Sequence, residues 1–439
     1  MSLLRQAFVV CVTAVVVAFV IPAYLKPAYP VPEIFGTVAP GFEEVRDVFR
    51  QNYELGLDNS EAGSAFSVYK NGEKVVDLWA GYADAEAKRL WREDTMTVIF
   101  SSSKGLAAIT IAVLADRGLI DFKEPVAKYW PEFAQNDKEK ITVEQLLEHE
   151  AGLHYTDEAL SYKIIADHKE VDRILAENRP AFEPGSMHAY HGITIGPYID
   201  ALVRRVDPKK RTVGQFFAEE VSQPFGIDAY IGLPLDKFHR CGRLTNVQAT
   251  LLDFIMAILK SSFHRRAIMG NFIPDPSYEA GKAMMESSGD LVELGAFADP
   301  YKINIEVASA NGIATAEALA KLFGILANGG KAGNKTLLSK RILDAYADDR
   351  RGPTPDLLMY DLPIRWKWAM DVIPQGTNAG NLFGAPGAGG QVAYADPNNK
   401  IGYGFVSRYM SPMGIQMMDP RFINLKKSVL RAVKKVGDQ

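Results

Sequence analysis

Ser101 and Lys104 stand three residues apart in Ser101-Ser102-Ser103-Lys104, at the head of a long apolar run. Residues i and i+3 share one face of a helix, so a hydroxyl and an amine would meet there. A serine needs a base to become a nucleophile. A lysine serves as that base once burial strips water from its ammonium and drives its pKa towards neutrality. The run Leu106 to Ala115, LAAITIAVLA, supplies the burial. It is apolar nearly all round and predicts a helix in the middle of a domain, ending at Asp116-Arg117-Gly118 with glycine as its cap. Ser101 then falls at the helix N-terminus, where unpaired N–H groups and the positive dipole end favour a developing oxyanion. A plainer reading is a serine-rich cap on a core helix, so the motif needs partners elsewhere.

Two stretches supply them. Tyr190, in Met187-His188-Ala189-Tyr190-His191-Gly192, follows a Pro184-Gly185 turn and precedes an apolar stretch of helical pattern. Far downstream, Phe383-Gly384-Ala385-Pro386-Gly387-Ala388-Gly389-Gly390 runs into the strand-like Gln391 to Ala395. Serine and lysine early, a tyrosine in the middle and a glycine-rich strand entry late is an order that resembles the penicillin-recognising serine hydrolases. On these residues the chain is identified as a member of the superfamily of class C β-lactamases, D-Ala-D-Ala carboxypeptidases and family VIII esterases. Within it the chain more closely resembles the eukaryotic β-lactamase-domain-containing members. Gln145 to Leu153, Ser309-Ala310-Asn311-Gly312 and Ala327-Asn328-Gly329-Gly330 share the resemblance, which extends from about residue 40 to residue 439.

The resemblance implies acyl transfer in two steps, with no metal and no cofactor. Ser101 attacks a carbonyl, Lys104 or Tyr190 removes its proton, and water later releases the acyl group. A tyrosine is a poor base near neutral pH, since its reference pKa is about 10, so Tyr190 needs Lys104 close by. The backbone N–H groups of Ser101 and Ala388 would form the oxyanion hole, and Ala385 and Gly387 would line the substrate. Two departures narrow the activity. The middle motif usually carries an asparagine where this chain has Gly192, and the late motif usually begins with lysine or histidine where it has Ala385. A cation at that position would bind a substrate carboxylate. Its absence argues against β-lactamase and carboxypeptidase activity and leaves an esterase or amidase for neutral acyl substrates. His188 and His191 flank Tyr190 and either compensate or are structural; His191 is carried as a substrate-binding candidate. The alternative function is a catalytically weak scaffold or self-assembling protein, and a homo-oligomer is compatible with either reading.

Other classes have less support. His149-Glu150 opens a string similar to a zinc-protease motif, but the next histidine is His154, five residues on, and the two imidazoles would not share a helical face. Net charge is −4, with 49 Lys+Arg against 53 Asp+Glu, which gives no electrostatic ground for nucleic-acid binding. The basic cluster Lys209-Lys210-Arg211 reads as a solvated turn between helices. With only Cys11 and Cys241, no disulfide framework is expected.

The remaining pattern describes what must hold these residues. Ala7 to Leu25 is apolar except for Thr13, Pro22 and Tyr24, with Arg5 before it and Lys26 after. At about 1.5 Å per residue it is just long enough to cross a bilayer, and predicts a single-pass N-terminal membrane anchor over residues 1–30. Secretion after signal cleavage is the alternative. Pro27 to Pro40 reads as a stiff linker, and residues 31–439 as one hydrolase domain. Ser64 to Lys70, Asn71-Gly72 and Glu73 to Trp79 predict a hairpin on a type I′ turn. Arg365 to Val372, Gly390 to Ala395 and Ile401 to Arg408 predict three more strands. Between them, residues 104–361 read as mostly helical, and Phe422 to Lys435 as a helix lying back across the sheet. The fold class is therefore α/β: an antiparallel sheet flanked by helices plus an all-helical subdomain.

Overall fold

The computed structural model describes residues 30–244, 258–259, 261–347, 352–374, 381–412, 414 and 419–437. Strands from the two ends of the chain share one eight-stranded antiparallel sheet. Its order is Ile34–Val38, Glu73–Ala80, Ser64–Lys70, Ile401–Ser407, Gln391–Asp396, Asn381–Gly387, Met370–Pro374 and Trp366–Lys367. The hairpin at Asn71-Gly72 forms as expected, with φ of 53° and 84°, the pair of positive angles that a type I′ turn requires. Phe405 lies opposite Phe66 and Tyr403 opposite Val68, which joins the late strands to the early ones in the middle of the sheet.

Side chains alternate across the sheet and feed two cores. On one face Phe66, Leu78, Tyr394 and Phe405 pack with Phe422, Leu425 and Val429 of the Pro420–Gly437 helix, and with Phe49 of the Glu43–Glu54 helix. On the other lie the Ala316–Ala327 and Ser103–Asp116 helices, whose apolar residues join a larger cluster running into the helical half. The Ala316–Ala327 helix approaches the sheet so closely that a Cβ at Gly404 would lie 2.0 Å from the Ala316 carbonyl oxygen. The helical middle follows the expected pattern, with helices such as His168–Glu177 and Ile195–Val206. It also holds a small unforeseen sheet of Thr97–Val98, Ile313–Ala314 and Ala229–Tyr230.

Four expectations are corrected. Residues 34–38, assigned to the linker, form an edge strand on Glu73–Ala80; Ile34, Phe35, Thr37 and Val38 are residue types that favour strands, and Arg46 anchors the Ile34 and Gly36 carbonyls at 3.1 and 2.7 Å. Arg365 to Val372 is two strands turned at Trp368 and Ala369 (φ 45° and 65°). Tertiary contacts fix that turn: Ala369 N donates to Leu147 O at 2.8 Å, and Trp368 packs edge-on against Phe122. The glycine-rich run is strand as far as Gly387 and a tight turn from Ala388 to Gly390. In the basic cluster, Arg211 is buried by ion pairs to Asp207, Glu219 and Glu220 rather than solvated. The expected anchor over residues 7–25 lies outside the described residues, among which no helix is long and apolar enough to cross a membrane.

Candidate active site

The chain leaves Thr97–Val98, bends through Phe100–Ser102 and enters the Ser103–Asp116 helix. Phe100 takes φ 45° at the bend, an uncommon conformation for a bulky residue and a locally strained one. Its surroundings hold it there. Ile99 N donates to Gly312 O at 2.9 Å, Ser103 Oγ donates to Phe100 O, and Gly312 N donates to Ser103 Oγ at 2.7 Å. The Phe100 ring packs edge-on against Phe297. None of the three serines caps the helix. Ser103 ties the bend to the Gly312 loop, Ser102 Oγ donates to Ala385 O at 2.9 Å, and Ser101 faces a cavity.

Lys104 is 2% exposed, and burial drives its pKa well below the ordinary lysine range. Its Nζ lies 2.7 Å from Gly192 O, 2.9 Å from Ser309 O and 3.2 Å from Ser101 Oγ, and 4.7 Å from the centre of the Tyr190 ring. A neutral amine has two N–H groups and one lone pair. In that form the two carbonyls, which only accept, would take the N–H groups and the lone pair would face Ser101. The Ser309 to Gly312 segment, noticed only through its resemblance, thus supplies one wall of the lysine's cradle.

Tyr190 Oη donates to Ser101 Oγ at 2.8 Å. The ring stacks on Trp366 at 5.2 Å and meets His149 edge-on, while Tyr190 N donates to Asp356 Oδ1 at 3.2 Å. Asp356 also accepts from Trp366 Nε1 at 2.9 Å, so one buried carboxylate positions both stacked rings. Burial raises the Tyr190 phenol above its ordinary range, and no cation is bonded to its oxygen among the described residues.

Ser101, Lys104, Tyr190, Ala385, Gly387 and Ala388 all line one cavity of about 230 Å3. The six are brought together from three distant segments. A Cβ at Gly387 would lie 2.3 Å from Ile99 O, so the strand passes the bend only as glycine. Gly192 lies under Met284, whose sulfur would be 2.5 Å from a Cβ there, so a methionine fills the place of the missing amide.

His191 is corrected: it is fully buried and does not line the cavity. Leu153 N donates to its Nε2 at 3.0 Å, which puts its proton on Nδ1, 3.2 Å from His149 Nδ1. Both rings are neutral, since burial holds each well below the ordinary histidine range. Together they form a packed support behind Tyr190. Sequence reading missed Asp356, Trp366 and Asp371. Nothing local marks them; only the three-dimensional stacking does.

A family model described as Beta-lactamase matches residues 45–426. Esterase/beta-lactamase LipL of Mycobacterium tuberculosis is 31% identical over 383 residues, covering 87% of this chain and 84% of that protein. The crystal structure of a family VIII carboxylesterase superposes with a TM-score of 0.72 at 32% identity, over 91% of this chain and 100% of that one. A penicillin-binding protein homolog from Caulobacter crescentus gives 0.75 at 31%, over 91% and 100%.

Proposed function

Since the chain belongs to the beta-lactamase family and is a serine hydrolase of the esterase type, we propose that Ser101 is its nucleophile, Lys104 the base and Tyr190 a proton donor to the leaving group. The observation that carries this is the amine's surroundings: two carbonyl acceptors and one hydroxyl around a desolvated Nζ. Ser101 Oγ attacks the ester carbonyl while its proton passes to Lys104. The N–H groups of Ser101 and Ala388 hold the oxyanion. As the intermediate collapses, the C–O bond to the leaving group breaks and the Tyr190 hydroxyl protonates the departing oxygen. Water entering the cleft then takes the proton from the Lys104 ammonium and gives one to the phenolate, which resets both groups. Water repeats the sequence on the acyl-enzyme and frees Ser101. Tyr190 is assigned the donor role because burial raises its phenol and Lys104 lies over its ring rather than at its oxygen.

The substrate proposed is an ester or amide whose acyl group carries no carboxylate. Ala385 supports this reading, because the cavity has no basic lining residue other than Lys104 among the described ones. A fluorophosphonate probe tests the activation of Ser101. Labelling is expected in the folded protein and lost in Ser101→Ala; unlabelled folded protein would favour the scaffold alternative.

A further inference from the structure

Asp371 is the acidic side chain among the described residues lining this cavity, and the mechanism gives it no task. It sits on Met370–Pro374, opposite Gly384 on one side and Trp366 on the other, one residue out of register from Ala385. The residue is 5% exposed. Tyr394 Oη donates to Oδ2 at 2.5 Å, but no other described residue bonds Oδ1. A buried carboxylate oxygen without a partner is costly, and proteins normally satisfy such groups. Burial pushes the Asp371 carboxyl up to about 7, the behaviour of an acid that lacks a counter-charge. Around it the wall is aromatic, with Tyr190, Trp366 and Phe263. Aromatic faces attract cations. The one basic lining group among the described residues, Lys104, has its pKa lowered by burial and its Nζ turned to the Gly192 and Ser309 carbonyls.

We propose that Asp371, beside the Trp366 ring, forms a subsite for the ammonium group of a cationic ester substrate. This rests on the esterase reading and refines it: the acyl carbonyl goes to Ser101 while an amine elsewhere in the same small molecule pairs with the Asp371 carboxylate. The cleft is then matched to a cation through Asp371, in place of the carboxylate partner that Ala385 leaves out.

Two matched pairs test it in the full chain. The β-alanine nitrophenyl ester is compared with nitrophenyl butanoate, which places the charge on the acyl side. Acetylcholine is compared with its uncharged carbon isostere, which places it on the leaving group. Each rate is corrected for hydrolysis by hydroxide alone. A charge-assisted bond predicts that kcat/KM favours the cationic member of one pair by about ten- to a hundredfold. In Asp371→Asn that ratio falls to about one, and a ratio within one protein is insensitive to any loss of folded enzyme. No preference in either pair, or a preference retained in Asp371→Asn, overturns the proposal. If Asp371→Asn does not fold, competition by propylammonium against nitrophenyl butanoate in the wild-type protein decides: inhibition supports the subsite and its absence refutes it. If no ester is hydrolysed, the esterase reading fails separately. Calorimetric titration of propylammonium into Ser101→Ala still decides the subsite, with binding for it and none against.

Discussion

On the reacting side of the cleft, Ser101 Oγ has Lys104 Nζ at 3.2 Å and Tyr190 Oη at 2.8 Å, and each of those groups is fixed in turn by carbonyls or by Asp356. The proposed binding side, around Ala385, Pro386 and Gly387, is small and apolar, with Asp371 on the next strand. Directional bonds tolerate little displacement, so the first region works as a unit. Packed apolar surface has no such demand and can be reshaped one residue at a time. The proposed reaction and the proposed selectivity should therefore be separable, and substitutions on the two sides should behave differently.

The largest effect is expected on the reacting side. Ser101→Ala should abolish hydrolysis of short-chain nitrophenyl esters, and Lys104→Ala should lower kcat by about 10² to 10⁴. The double variant should be no worse than the worse single one, because members of one unit are not additive. Additive losses would break the comparison. On the binding side, Ala385→Lys should raise reactivity towards penicillins, relative to neutral esters, by about one to two powers of ten. A wild-type protein that already hydrolyses penicillins efficiently would show that another cation serves the site.

Gly192→Asn probes the border between the two regions. Its Cβ would press on Met284, the end of a flexible side chain, so a loss of about 1 kcal/mol is expected in urea unfolding, partly recovered by adding Met284→Ala. Equal loss with and without Met284→Ala would place the strain elsewhere.

The smallest effect is on stability against pH. Asp371 and Glu306 have carboxyls raised by burial to about 7, against about 3.9 and 4.3 when unfolded. Between those limits the folded state holds protons that the unfolded one has lost, so these groups stabilise at low pH and that contribution is lost as pH rises through about 7. His149, His154 and His191 are buried neutral with lowered pKa, so they act in the opposite sense below about 6.5. Above it Lys104 and Lys138, whose pKa values burial lowers, oppose the carboxyls. The carboxyl contribution is therefore read as a difference: between pH of about 6.5 and about 8 the Tm of the wild-type protein should fall relative to that of Asp371→Asn, and a parallel course in the two would refute the assignment.

Much of this architecture can be read without coordinates. The hairpin at Asn71-Gly72 and the uniformly apolar Leu106 to Ala115 depend on short-range chemistry, and both form as the pattern indicates. Where a neighbour distant in sequence decides the outcome, pattern fails. Residues 34–38 are a linker by composition and a strand only because Glu73–Ala80 offers an open edge. Likewise Arg365 to Val372 reads as one strand, and is folded in two by a bond from Ala369 to Leu147.

The sequence by itself determined that a hydroxyl and an amine would meet at the head of a buried helix, because short spacing and an all-apolar run are local properties. It also determined that Ala385 brings no cation. Only the tertiary structure decided that Phe100 would bend the chain with positive φ, that Asp356 would position Tyr190 from 166 residues away, and that His191 would lie behind the cavity rather than in it. Asp371 belongs with these. Its free oxygen and its aromatic surroundings exist only where strands remote in sequence are packed together, since desolvation is a property of the assembled fold.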